Sequence, residues 1–185
     1  MGVDHQDKGD KAMRRRQILT MAGAAALTAS LTACVGGGAG VEFHRGKSRP
    51  LSSTTRFDAS RFAGRWEIRG EFVYPGEKPS YGAVNLTHSN GKITAMDVYG
   101  PSGLLERYPT KQPAPGRITV GTPPFDTQYW VLWVDADYRT AAIGTPSGSF
   151  GWIIDRSRSG GEDRIKAARD VLGFNGYNLS RLQIR

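Results

Sequence analysis

The residue best placed to do chemistry is Cys34, the only cysteine in a chain of 185 residues. It closes the segment Leu31-Thr32-Ala33-Cys34, at the end of an apolar run that begins at Ile18 and follows Arg14-Arg15-Arg16. A basic front, an apolar middle and a small residue before the acceptor make the pattern of an export signal. A thiol in that position is the nucleophile that takes up a lipid, so Cys34 is the expected lipidation site and the expected first residue of the mature chain. The run is short and alanine-rich, whereas a membrane-spanning helix needs roughly 20 strongly apolar residues. Residues 1–33 therefore read as leader and signal peptide. Arg15-Arg16 before Gln17-Ile18-Leu19 also resembles the twin-arginine signal, a route for folded proteins, with the general export route as the alternative. Val35 after Cys34 points to the outer membrane, facing the periplasm, as the place of the anchor.

Other chemistry is poorly supplied. The three histidines, His5, His44 and His88, fall in the leader, a polar connecting stretch and a turn, so no imidazole is placed as a base or metal ligand. Ser147 and Ser149 sit in a glycine-containing turn rather than at a strand-to-helix elbow. Asp135 and Asp137 read as turn formers rather than an acid–base pair. These absences predict no catalytic residue, no metal and no cofactor, and hence no enzyme. The formal net charge of +8 is scattered, with no basic helix or basic–aromatic motif, which argues against nucleic acid as a partner. With Cys34 acylated, no thiol remains for a disulfide, so an exported domain depends on its core alone.

The elements that would position any site are short strands. Residues 34–56, with Gly36-Gly37-Gly38, Gly40, Gly46 and Pro50, show no period and read as a flexible tether. A coil of about 21 residues has an end-to-end distance of about 25 Å. From residue 57 onward, alternating runs are separated by turn signals, the clearest being Ser89-Asn90-Gly91-Lys92. Strands are predicted near 66–74, 82–87, 92–99, 104–108, 117–121, 129–134, 138–144 and 150–155. That inventory is all-β: an up-and-down antiparallel β-barrel of about eight strands. Ile165, Ala168 and Leu172 recur at helical spacing between Glu162 and Leu172, with Gly173 as the expected stop. The helix is expected outside the barrel, against the run Tyr129 to Val134, and Leu182 to Ile184 forms a last short strand.

Three segments in order resemble the lipocalin family, most of all its bacterial outer-membrane lipoprotein type. Gly64-Arg65-Trp66 matches the opening Gly-x-Trp. Asp135, Asp137 and Tyr138 occupy the loop of the second motif, and Trp152-Ile153-Ile154-Asp155-Arg156 matches the third, a strand ending in arginine before the helix. The resemblance covers residues 57–185. It implies that Gly64, Trp66, Asp137, Tyr138 and Arg156 close one end of a barrel, with the Arg156 guanidinium lying across the Trp66 indole.

A barrel of eight strands either holds a small ligand or is filled by its own side chains. If the parity set by Trp66 continues, the interior receives Phe72, Tyr74, Val84, Leu86, Trp130, Leu132 and Trp152, while Trp133 points outward beneath the helix. An apolar lining of that kind suits acyl chains. The expectation is a membrane-anchored binder of small hydrophobic molecules such as fatty acids or lysophospholipids, which stores or transports them in the cell envelope. The alternative is a filled barrel that acts as a structural or interaction lipoprotein.

Overall fold

The computed structural model describes residues 43–185; the apolar run and Cys34 lie outside the described residues. A short helix α1 (Ala59–Phe62) leads into β1 (Gly64–Phe72), β2 (Ala83–Ser89), β3 (Lys92–Gly100), β4 (Gly103–Ala114), β5 (Arg117–Val120), β6 (Thr127–Val134), β7 (Thr140–Gly144) and β8 (Gly151–Asp155). Helix α2 (Glu162–Phe174) and strand β9 (Leu182–Ile184) follow. Each strand from β1 to β8 pairs antiparallel with the next, and β8 pairs back with β1. The sheet closes, and β9 adds to β1 from outside.

Two bulges decide which side chains enter the barrel. In β1 the register slips between Ile68 and Gly70, leaving Arg69 without a partner in the ladder. Because side chains alternate faces, one extra residue reverses the parity of everything beyond it. Trp66 and Ile68 therefore point inward, whereas Phe72 packs outside with Tyr177 and Leu182. In β6 the slip falls between Val131 and Trp133, so Leu132 and Trp133 both lie on the outer face. Val134 returns to the inner one.

Helix α2 covers that outer face. Ile165, Ala168 and Leu172 are buried against Leu132, Ala142 and Ile153. Gly173 does not end the helix: the chain continues to Phe174 and stops at Gly176, whose φ of 89° only glycine adopts readily. The Tyr177 N–H donates to the Leu172 carbonyl at 3.1 Å and the Gly176 N–H to the Gly173 carbonyl at 3.0 Å. This is a Schellman stop, completed by the apolar contact between Leu172 and Tyr177. The first turn is docked by the fully buried Asp155, which accepts from Thr140 Oγ1 and from the Arg164 guanidinium at 3.3 Å.

Residues 43–56 are not a free tether. His44 is buried between Phe72 and Tyr74, with ring centroids 5.7 and 4.4 Å away. Burial, followed by the nearby Arg181, lowers its pKa against the opposing pull of Glu77, so the imidazole is neutral at neutral pH. The His44 N–H donates to Gly148 at 2.8 Å, and the His44 carbonyl accepts from Asn178 at 2.7 Å. Arg45 is buried and donates through Nε to the Asn175 carbonyl at 2.7 Å, capping the end of α2. Further on, the Thr54 N–H donates to the Val131 carbonyl at 2.8 Å. Composition points to a coil because the partners of this strap, such as Gly148, Asn175 and Asn178, are distant in sequence.

The opposite end of the barrel is sealed. Trp66 is fully buried, its Nε1 donating to the Phe62 carbonyl at 2.8 Å. The Arg156 guanidinium lies 3.7 Å above the indole centroid. Its N–H groups donate to the carbonyls of Arg65, Arg61 and Ala63 at 2.8, 2.7 and 2.9 Å, and to Tyr138 at 3.2 Å. Tyr138 sits at φ 59° in the β6–β7 turn, and its hydroxyl accepts from the Asp58 N–H at 2.8 Å. Asp135 accepts from the Arg139 and Thr140 N–H groups, which is why β7 starts at Thr140 rather than at the expected 138. Asp137 faces solvent and pairs with Arg139.

Truncation of Trp66 to alanine should cost about 3 to 5 kcal/mol, a large share of a small domain's roughly 5 to 15, and lower the melting temperature by many degrees. Arg156→Lys should cost less, since an ammonium neither stacks flat nor reaches all of those carbonyls. Urea titration of both variants checks the ranking, and an unchanged midpoint for Trp66→Ala contradicts it.

Acid should weaken the sheet through a second set of contacts. Arg107 grips Asp97 at 2.5 and 2.8 Å across β3 and β4 and holds its carboxyl below the ordinary 3.8. A lowered carboxylate contributes stability above its unfolded value and loses it as pH falls through the folded one. Thermal melts should therefore fall below about pH 4, and Asp97→Asn should flatten that acid limb. A limb of unchanged steepness would mean that Asp97 is not among its causes.

Candidate functional site at the open end

The end away from Trp66 is open, and the strands bring an aromatic collar to it. Tyr81 precedes β2, Val98 lies on β3, Leu105, Glu106 and Tyr108 on β4, and Tyr129 on β6, while Phe150 and Trp152 come from the entry to β8. Together they line a vestibule of about 210 Å³. The Trp152 ring meets Phe150 edge-on at 4.2 Å and Tyr81 edge-on at 5.4 Å, and Tyr129 lies 4.8 Å from Phe150. Beneath this floor the barrel is nearly solid. The remaining internal void of about 20 Å³ is lined by Val84, Leu86, Met96, Ile118 and Val131, with Trp152 at its border. It has room for about one water molecule.

Polar groups at the mouth are few. The Tyr108 hydroxyl donates to Glu106 at 2.6 Å, a bond that, with burial, pushes the phenol up to about 12. Burial raises Tyr129 further still, so both phenols stay neutral at physiological pH. Tyr81 is held in place through its backbone: its N–H donates to the buried Glu71 at 3.3 Å, as does that of Ser80 at 3.1 Å. Burial raises the Glu71 carboxyl, partly offset by those bonds and by Arg185 at 2.9 Å. One donor stands apart. Trp152 Nε1 is buried and has no hydrogen-bond partner among the described residues. Leaving such a donor unpaired costs about 1 to 3 kcal/mol, which an acceptor on a bound molecule would recover.

Of the residues expected to line the cavity, Val84, Leu86 and Trp152 do so. Phe72, Trp130 and Leu132 do not: all three pack in the outer cluster beneath or beside α2. Phe72 is displaced by the bulge at Arg69. In β6 the parity is the reverse of the expected one, with Tyr129 and Val131 inside, and Trp130 outside beneath the Arg117 guanidinium at 4.0 Å. Tyr74 lies beyond β1, against His44. Tyr81, Tyr108 and Phe150 were missed, since each lies at a loop boundary or in a stretch of β4 longer than its alternation indicated. Ser147 and Ser149 bond to each other at 2.8 Å within their turn.

A solved structure of rat epididymal lipocalin 12 superimposes with a TM-score of 0.57 at 14% identity, covering 72% of this chain and 87% of that one. Insecticyanin from the tobacco hornworm Manduca sexta gives 0.56 at 14% identity, over 77% and 87% of the two chains. The barrel has the lipocalin fold. The cockroach allergen Per a 4 shares this lipocalin fold at a TM-score of 0.52 and 16% identity, over 75% and 94%. In sequence, the family described as Lipocalin-like domain matches residues 115–185. Temperature-induced lipocalin-1 of Arabidopsis thaliana is 31% identical over 105 residues, about half of either protein, at 54% of each.

Trp152 is the optical reporter of this site. In Trp152→Phe the ring is kept and the unpaired donor lost, so stability should hold within about 1 kcal/mol or rise, while Trp152→Ala should cost about 3 to 5. Equal losses in chemical denaturation would mean that the Nε1 donor is satisfied in solution.

Proposed function

We propose that the protein is a lipid-anchored lipocalin of the bacterial cell envelope that binds a hydrophobic molecule at its open end and catalyses no reaction. Cys34 carries the anchor, facing the periplasm from the outer membrane, and the ligand is a lysophospholipid. The observation that carries this reading is the aromatic vestibule with the unpaired Trp152 Nε1 at its floor. Aromatic and aliphatic walls favour an acyl chain, and the buried indole donor favours a neutral acceptor such as an ester carbonyl. A fatty-acid carboxylate fits less well, because it would be desolvated among aromatic rings near the acidic Glu106.

The solid interior limits how much of the chain is enclosed. Each buried methylene contributes about 0.8 kcal/mol, so affinity should climb over the first few methylenes and then level off. Calorimetry over a lysophosphatidylcholine chain-length series should show roughly micromolar binding with such a plateau, weaker binding of the matching fatty acids, and a loss in Trp152→Ala. Metabolic palmitate should label the wild-type chain and not Cys34→Ser. The near-filled interior favours a second reading, a filled barrel that docks a partner in the envelope. Absence of lipid binding at tens of micromolar would make that reading the better one.

A further inference from the structure

Four large apolar side chains are exposed at one end of the barrel. Leu104 and Leu105 follow the β3–β4 turn and are 56% and 52% exposed, and Phe125, in the β5–β6 loop, is 89% exposed. Both connections lie at the open end. Helix α2 runs from the sealed end, where β8 finishes, to the open end, where Tyr177 packs beside Gly144 and Phe150, and its last residue Phe174 is 77% exposed. Leu105 also lines the vestibule, so the exposed apolar rim is continuous with the mouth.

The described chain begins at this same end. The His44 N–H is bonded to Gly148, in the β7–β8 turn at the open end, and the Arg181 guanidinium reaches the Phe43 carbonyl. Phe43 follows Cys34 by only nine positions. Fully extended they span about 30 Å, and as a coil about 17 Å. The nine residues of β1, tilted as barrel strands are, cover about 25 Å along the axis. The connection is thus as short as the barrel is long, and it leaves from the mouth.

We propose that the open end docks on the lipid surface that holds the anchor, with Leu104, Leu105, Phe125 and Phe174 entering the bilayer interface. This rests on the lipid-anchor reading of Cys34. The mouth then faces the bilayer, and a lysophospholipid passes over Leu105 into the vestibule without crossing water. The tail that the shallow site leaves uncovered stays among lipid chains.

The test supplies the anchor chemically. The full chain, coupled through Cys34 to a maleimide lipid in phosphatidylcholine nanodiscs that also carry a gadolinium-chelating lipid, is observed by NMR. Amide signals of Leu104, Leu105 and Phe125 should broaden at least about tenfold more than those of Asn90 and Gly91 in the β2–β3 turn at the sealed end. Leu104→Ser combined with Phe125→Ser should reduce that ratio toward one while signal dispersion stays native. Equal broadening at the two ends of the wild-type barrel, or stronger broadening at Asn90, overturns the proposal. So does a ratio unmoved by the double variant. Because the coupling does not depend on cellular lipidation, a failure of palmitate labelling would sink the anchor reading alone, and a failure here would sink the docking alone.

Discussion

The volume enclosed by eight strands is the constraint on which the rest depends. Such a barrel is only wide enough for its inward side chains or for one small ligand, and this chain spends most of that room on itself. Trp66, Phe62, Ile68, Ile93, Val131 and Ile154 pack the sealed half to a void of about 20 Å³. What remains for a ligand is the aromatic vestibule above Trp152. The depth of the site, the chain length it can enclose and the exposure of whatever binds there follow from how far up the barrel the core is filled.

The sealed end makes that packing possible. A closed barrel must still satisfy the backbone carbonyls where strands and turns meet at its floor, and a single guanidinium does this for five residues while resting on an indole. Arg156 is half-buried, and desolvation pulls its pKa down from the ordinary arginine value. The carbonyl acceptors compensate for the water it gives up. Neither residue serves the mouth directly, yet both fix the strand ends from which its collar is projected.

Much of this architecture was legible in the chain. Asn90-Gly91 set a hairpin that the structure contains, Ile165, Ala168 and Leu172 identified the buried face of α2, and Gly64, Trp66 and Arg156 meet at the sealed end. The reading went wrong where a local count had to be carried across a bulge. One extra residue at Arg69 sends Phe72 outside, and the mark of that slip within Glu67 to Phe72 is Gly70, a glycine inside a strand. In β6 the run Tyr129 to Val134 is apolar on both faces, so alternation could not tell which face the helix covers. The strap from His44 to Thr54 escaped for another reason: its stability comes from hydrogen bonds to residues such as Gly148 and Asn178, distant in the chain, while its composition is that of a coil.

The central claim is that a ligand sits at the mouth against Trp152 and not inside the barrel. The four tryptophan indole N–H signals report on four places: the sealed floor at Trp66, the outer face at Trp130 and Trp133, and the vestibule at Trp152. In a nitrogen–proton correlation spectrum titrated with lysophosphatidylcholine, the Trp152 signal should shift as its donor gains an acceptor, with the other three unmoved. A shift at Trp66 without one at Trp152, or no shift at any indole under saturating lipid, would contradict the account.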